Sequence, residues 1–389
     1  MKLRLLTAGE SHGPALVTIL DGMPAGLPLQ NDGIDLELAR RQRGFGAGPR
    51  MKIEKDKVRI LGGVLEGKTT GAPLAFLIEN QDHDKWRQKA IPPFPMPRPG
   101  HADLVGAVKF GYTDLRPSLE RASARETAAR VAGGAACKQL LSQFGITVGG
   151  YVASIGEIEG SFDQLDLTQR ALVAEGNEVR CPDAQAAEQM IASIRRIIEN
   201  KDTLGGVVEL FATGLPIGLG SFSQWDQRLE SRLSAAVMSV QAMKGVEFGR
   251  AFENTRHPGT QVHDAIRLQK EKIIRPTNRA GGIEGGVSTG EPILMRVAMK
   301  PIATTLTPQE SVDLVSGEES DTRYERSDFC PVPRAVPILE AVVSFVMADA
   351  LLEKLGGDSI GEMIPRFEAL RKASLSDLNI DGQAHIWWP

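Results

Sequence analysis

The apolar positions of the chain fall into two patterns. Short runs at strand spacing occupy residues 3–8, the stretch that ends at Ile78 and the stretch that ends at Val297, and glycines sit close to each. Elsewhere apolar residues recur at three- and four-residue steps. That spacing predicts helices over residues 117–141 with Gly145 as the stop, over 229–244, and over 336–355 closed by Gly356-Gly357. Helices inside with sheets around them make an α+β fold. The longest apolar stretch, residues 341–352, is broken by Ser344 and Asp349 and falls short of the roughly 18–20 residues a bilayer span needs, so no membrane span is expected. Residues 1–6 meet Glu10 and His12 before the apolar core of a leader can form, so no signal peptide is expected either.

The pattern also repeats. Gly62-Gly63-Val-Leu-Glu-Gly67-Lys-Thr-Thr70-Gly71-Ala-Pro73 shares six positions at identical spacing with Gly281-Gly282-Ile-Glu-Gly-Gly286-Val-Ser-Thr289-Gly290-Glu-Pro292. Asp21-Gly22-Met-Pro24-Ala-Gly26-Leu27 likewise resembles Thr213-Gly214-Leu-Pro216-Ile-Gly218-Leu219. One copy of each lies in each half. This predicts a duplication, with units of roughly residues 1–140 and 200–330 related by a pseudo-two-fold.

Composition narrows the class. With 389 residues, 42% apolar and 24% charged, the chain can bury a large core, which excludes disorder and fibres. Its 41 glycines and 23 prolines have no collagen period and read as tight turns. Three cysteines, Cys137, Cys181 and Cys330, without a C-x-x-C, point to a reduced cytoplasmic setting and to no metal site. A net charge of −4 argues against a nucleic-acid binder. The charge is uneven, however: residues 1–140 hold 21 Lys and Arg against 15 Asp and Glu, the remainder 24 against 34. Much of that early positive charge is arginine beside glycine or histidine, which suits a pocket for a small, highly anionic ligand. Neither a dinucleotide fingerprint nor a Walker loop occurs. The proline-rich segment 91–99 reads as a stiffened loop that presents the residues after it.

Three segments concentrate residues capable of chemistry. Gly9-Glu10-Ser11-His12-Gly13 places a glycine-bracketed histidine at a strand end. Arg98-Pro99-Gly100-His101-Ala102-Asp103 holds a second, with an acid two residues on that can fix its tautomer. In Glu120-Arg121-Ala122-Ser123-Ala124-Arg125-Glu126-Thr127, helical spacing puts Arg121 and Arg125 on one face, and Ser123 with Thr127 on another.

Together with Arg326-Ser-Asp328-Phe-Cys-Pro-Val-Pro-Arg-Ala-Val-Pro337 and Asn278-Arg-Ala-Gly-Gly-Ile-Glu-Gly-Gly286, these segments resemble the chorismate synthase family, five matches in register between residues 9 and 337. The resemblance implies a single domain over residues 1–389, a β-α-β sandwich with helices between antiparallel sheets, and usually a cytoplasmic homotetramer. It implies a lyase of the shikimate pathway that eliminates phosphate from 5-enolpyruvylshikimate 3-phosphate, with reduced FMN and no net redox change, and with NADPH as a candidate reductant of the flavin. By the same resemblance His12 matches a general acid beside the leaving phosphate, His101 a histidine that sets flavin protonation, and Asp328 an acid near flavin N5. Arg41, Arg125 and Arg326 match substrate-binding arginines. Flavin contacts fall on Arg121, Ala122, Ser123, Gln241, Ala242, Gly285, Lys300, Pro301, Ile302, Ala303, Thr304 and Arg326. One departure is visible: many relatives carry an arginine where Ala47 stands, so either Arg43 or Arg50 compensates or a substrate contact is weaker here. The competing expectations are an FMN-dependent oxidoreductase with the same pocket, and a non-catalytic anion-binding protein.

Overall fold

The computed structural model describes residues 2–48, 55–162, 164–325, 327–378 and 380–388. Two antiparallel sheets frame it. In the first, Arg4–Ala8 pairs with Ala15–Asp21, which pairs with Leu74–Glu79, which pairs with Arg59–Gly62. The second runs in the order Met243–Phe248, Ile293–Met299, Gly206–Thr213, Thr147–Ile155 and Ile158–Glu159.

The alternation read from the sequence decides which face is covered. Leu16, Thr18 and Leu20 point inward from one strand and Leu74, Phe76 and Ile78 from its neighbour, all buried. They meet the helix Thr127–Ser142, on which Thr18 Oγ1 donates a hydrogen bond to the Ala129 carbonyl at 2.7 Å. That helix in turn packs on the helix Val332–Leu355 so closely that a Cβ on Gly134 would lie 2.4 Å from the Ala341 Cβ. The second sheet covers the far side of Val332–Leu355, where Gly150 faces Val336. The contacts therefore run sheet, helix, helix, sheet, around one buried apolar cluster that includes residues from Leu3 to Met363.

The repeated segments form the same hairpin twice. Val64–Leu65 pairs with Lys68–Thr69 and Ile283–Glu284 with Val287–Ser288, at equal offsets. Thr69 Oγ1 donates to the Pro24 carbonyl and accepts from the Leu27 N–H, while Ser288 Oγ does the same with Pro216 and Leu219. The matching glycine in the turn of each hairpin sits at positive φ, 73° at Gly67 and 93° at Gly286, a region that favours glycine.

Three sequence expectations shift. The helix expected over 117–141 is two helices, Arg116–Ala122 and Thr127–Ser142, broken at Ser123 (φ −60°, ψ 139°), whose hydroxyl accepts from the Arg125 N–H. The serine cap competes with helix continuation and wins. The helix expected over 229–244 stops at Met238, and Met243–Phe248 joins the sheet. The apolar stretch expected to be short belongs to a 24-residue helix, Val332–Leu355, which by length and composition alone could cross a membrane but is buried inside the fold.

That central helix carries a buried charge. Glu340 binds Arg40 Nη1 at 2.6 Å and also Lys138, tying together the helices Asn31–Gln42, Thr127–Ser142 and Val332–Leu355. Burial disfavours its anion, but Lys138 and Arg40 outweigh burial and hold the carboxyl down at about 2. Glu340→Gln is expected to lower unfolding stability near neutral pH by about 3 kcal/mol, because two partly buried cations lose their buried partner. A depressed carboxyl stabilises above its ordinary value of 4.5 and stops doing so as pH falls toward 2. Urea midpoints of wild type and variant should accordingly converge between those two pH values, and parallel curves would contradict this.

Candidate active site

A cavity of about 420 Å³ opens at the N-terminal end of Val332–Leu355. Its wall draws on the turn after the first strand (Ser11, His12), the helix break (Ala122 to Arg125), and the segments holding Arg41, His101, Gln241, Lys300 and Asp328. Residues far apart in sequence thus face one space.

His12 is held at two points by one carboxylate. Its backbone N–H donates to Glu120 Oε2 at 2.8 Å, and its Nδ1 lies 2.8 Å from Glu120 Oε1. Burial works against the Glu120 anion, but the hydrogen bonds from His12 and the charge of Arg116 bring its carboxyl below the usual carboxylate range. An ionised carboxylate only accepts, so Nδ1 carries the proton. The Trp86 ring packs against the imidazole, with centroids 4.2 Å apart.

The break at Ser123 separates the two arginines that helical spacing would have aligned. Arg121 turns back to the first strand, where its Nη2 donates to the Thr7 carbonyl at 2.9 Å, and it is not part of the cavity wall. Arg125 turns inward. Its Nη1 donates to both oxygens of Asp56 at 2.7 Å, and its Nε to Asn80 Oδ1 at 2.8 Å. Arg41 shares that carboxylate from 3.6 Å, donates through Nε to Thr127 Oγ1 at 2.9 Å, and is 2% exposed. Arg41 Nη1 has no hydrogen-bond partner among the described residues. Burial first, then the charge of Arg334, weakens the Arg41 guanidinium's hold on its proton, and Arg125 adds to the effect. Arg41 and Arg125 thus bring two guanidinium groups to one wall of the cavity, the planar donor chemistry that suits an anionic ligand.

His101 lies against an ion pair between Arg98 and Asp103. Its Nδ1 lies 2.6 Å from Asp103 Oδ1, and Arg98 Nη2 lies 3.0 Å from that nitrogen and 3.3 Å from Nε2. Asp103 is fully buried and also accepts from Arg98 Nε at 2.8 Å. Burial opposes its ionisation, yet the bonds from His101 and Arg98 keep its carboxyl well below the usual range. Arg98 continues to Thr304 Oγ1 at 3.1 Å, joining this group to the opposite wall.

Asp328 accepts from the Gly48 N–H at 2.7 Å and pairs with Arg334. Only glycine fits at position 48, since a Cβ there would lie 2.4 Å from the Ser327 carbonyl oxygen. Arg334 also donates through Nε to the Arg41 carbonyl at 3.0 Å, so the arginine-bearing helix end and Asp328 are held as a unit.

The last wall is formed by Gln241, Ala242, Lys300, Ile302, Ala303 and Thr304. Ala242 has a φ of 67°, a strained value for a residue with a Cβ, and its carbonyl accepts from the Lys300 N–H. Gln241 Nε2 donates to Glu126, while its buried Oε1 has no partner among the described residues. Pro301 and Gly285 do not line the cavity. Gly285 sits on a hairpin against the start of Leu229–Met238, whereas Gln241 follows that helix's end, about 15 Å along it. Arg326 and Arg50 lie outside the described residues. Arg43 is exposed and is not part of the wall, and Ala47 is half-buried beside Gly48. Sequence reasoning gave no role to Glu120, Asp56 or Arg334. Glu120 and Arg334 stand inside the quoted motifs, while Asp56 follows a lysine in a segment without any signal. Among the described residues no group of His, Cys, Asp and Glu could hold a metal ion.

The chain as a whole is similar to known proteins. A family model described as chorismate synthase matches residues 3–352. The chain is 50% identical over 391 aligned residues to the chorismate synthase of Chlorobium luteolum, covering 95% of this chain and 98% of that one. It is 51% identical to that of Desulforudis audaxviator, covering 93% and 95%. A crystal structure of a chorismate synthase superimposes with a TM-score of 0.78 at 43% identity, covering 95% of this chain and 97% of the other.

Proposed function

The chain belongs to the chorismate synthase family, and from that premise we propose that it eliminates phosphate from 5-enolpyruvylshikimate 3-phosphate to form chorismate, with reduced FMN and no net redox change. The observation that carries this reading is the cavity in which His12, His101 and Asp328 face Arg41 and Arg125. The substrate bears a phosphate and two carboxylates, and a pair of arginines in the cavity wall suits such an anion.

The wall fits a flavin. Gln241 Oε1 is a buried acceptor in want of a donor, as a ring N–H would supply, and Leu119, Met299 and Ile302 offer an apolar surface for a planar ring. Ala122, Ser123, Gln241, Ala242, Lys300, Ile302, Ala303 and Thr304 would hold it, with Pro301 supporting them in the chain. Reduced FMN, when bound, lends electron density to the departure of phosphate and regains it. The protein's part is to bind, orient and protonate. His12 presents Nε2 as the proton donor to the leaving phosphate, Arg41 and Arg125 orient the anions, and Arg326 is assigned with them from its motif. His101, held against the Asp103–Arg98 pair, is positioned to govern protonation at the flavin. Asp328, fixed by Gly48 and Arg334, is an oriented acceptor in the same wall. Arg121 and Gly285 stay assigned to the cofactor by family resemblance alone.

We read the molecule further as one domain built by duplication about a pseudo-two-fold, a sandwich of helices between sheets; the equal hairpins and the shared core support this. A cytoplasmic homotetramer, with NADPH as reductant, completes the reading. Three buried free cysteines and the exposed apolar side chains Val105, Val108 and Phe110 support location and assembly respectively. The purified protein, supplied anaerobically with substrate and reduced FMN, should release phosphate and chorismate in equal amounts. Absence of chorismate would refute the assignment.

A further inference from the structure

We infer that Glu120 is a positioning residue for His12: it holds the ring with Nδ1 protonated and leaves Nε2 for the cavity. This rests on the reading of His12 as the proton donor. The geometry is a two-point clamp. Both Glu120 oxygens are used, one by the His12 backbone N–H and one by the ring, each at 2.8 Å. Ser11 N–H donates to the Glu120 backbone carbonyl at 3.2 Å, which ties the same turn to the helix Arg116–Ala122. Trp86 closes the ring's other side, and the Arg116 guanidinium lies 5.8 Å over Trp86. The charged and titratable groups around His12 are therefore Glu120 and Arg116 from that helix, His83, whose Nδ1 lies 3.0 Å from the His12 carbonyl, and Glu10 in the same turn, with Arg41 and Arg125 across the cavity. Among these, Glu120 alone contacts the ring nitrogen.

The chemistry explains why a carboxylate stands there. A donor at Nε2 needs the imidazolium, which bears protons on both nitrogens, and only an acceptor at Nδ1 tolerates that form. Glu120→Gln tests this sharply, because glutamine offers one acceptor and one donor to two donors. The backbone N–H cannot change, but the ring can. Glutamine will turn its oxygen to the backbone N–H and its NH₂ to Nδ1, which drives the ring proton to Nε2 and opposes the imidazolium.

The experiment uses the full chain with ¹⁵N-labelled histidine. Long-range ¹H–¹⁵N spectra at alkaline pH, with His12 identified from its absence in His12→Asn, read the tautomer directly. Phosphate release is measured alongside. Wild type should show the Nδ1–H form. In Glu120→Gln it should invert to Nε2–H, with kcat lowered about 10–100-fold and KM within about threefold. Glu120→Asp keeps two oxygens one methylene back and should recover the Nδ1–H form and part of kcat. An Nδ1–H ring in Glu120→Gln with wild-type turnover would overturn the inference. An inverted tautomer with wild-type turnover would instead leave the clamp standing and remove His12 as the acid.

Discussion

His12→Ala should lower kcat for phosphate release by about 10²–10⁴-fold while leaving flavin binding nearly intact. The imidazole lines the cavity with Nδ1 taken by Glu120 and one ring face covered by Trp86, which leaves Nε2 as its functional atom. None of the residues of the Gln241–Ala242 and Lys300–Thr304 wall bonds to the His12 side chain, so truncation should spare the cofactor. Rapid-quench phosphate release and flavin fluorescence titration separate the two effects. Equal turnover in variant and wild type would remove the role.

The second large effect concerns Asp56, the fully buried carboxylate that Arg125 and Arg41 share. Asp56→Asn leaves two buried guanidinium groups facing each other with a neutral amide between them. Removing one partner from a buried ion pair costs about 3–5 kcal/mol. A bound anion can take the lost charge's place, so millimolar inorganic phosphate should stabilise the variant more than wild type, by the usual linkage between binding and unfolding. Urea midpoints with and without phosphate check both statements. A variant as stable as wild type in phosphate-free buffer would show that the two arginines do not depend on Asp56.

These two residues also show what a chain reveals of its own site. His12 was legible because glycines flank it at a strand end, where backbone must come close. The duplicated hairpins were legible for a related reason, since each turn demands positive φ and so keeps glycine at fixed offsets. Asp56 was not legible. It lies 69 positions from Arg125, and its function exists only once the fold brings them together. The break at Ser123 was hidden as well, because Ala, Arg and Glu around it all favour helix and only the serine's hydroxyl, capping the Arg125 N–H, ends the first segment. That break matters most for the site: it sends Arg121 back to the first strand and Arg125 into the cavity, where periodicity alone had put them on one face.

The central claim is an elimination in which the flavin is needed but not spent, and one stoichiometry decides it. Under strict anaerobiosis, the enzyme is loaded with FMN, reduced once, freed of excess reductant and given substrate. Chorismate formed per flavin is then counted, with the flavin spectrum monitored throughout. Many turnovers per flavin are expected, with the flavin still reduced at the end and no product when the flavin is oxidised at the start. Product that stops at one equivalent per flavin, with the flavin left oxidised, would make the protein an oxidoreductase and contradict the account.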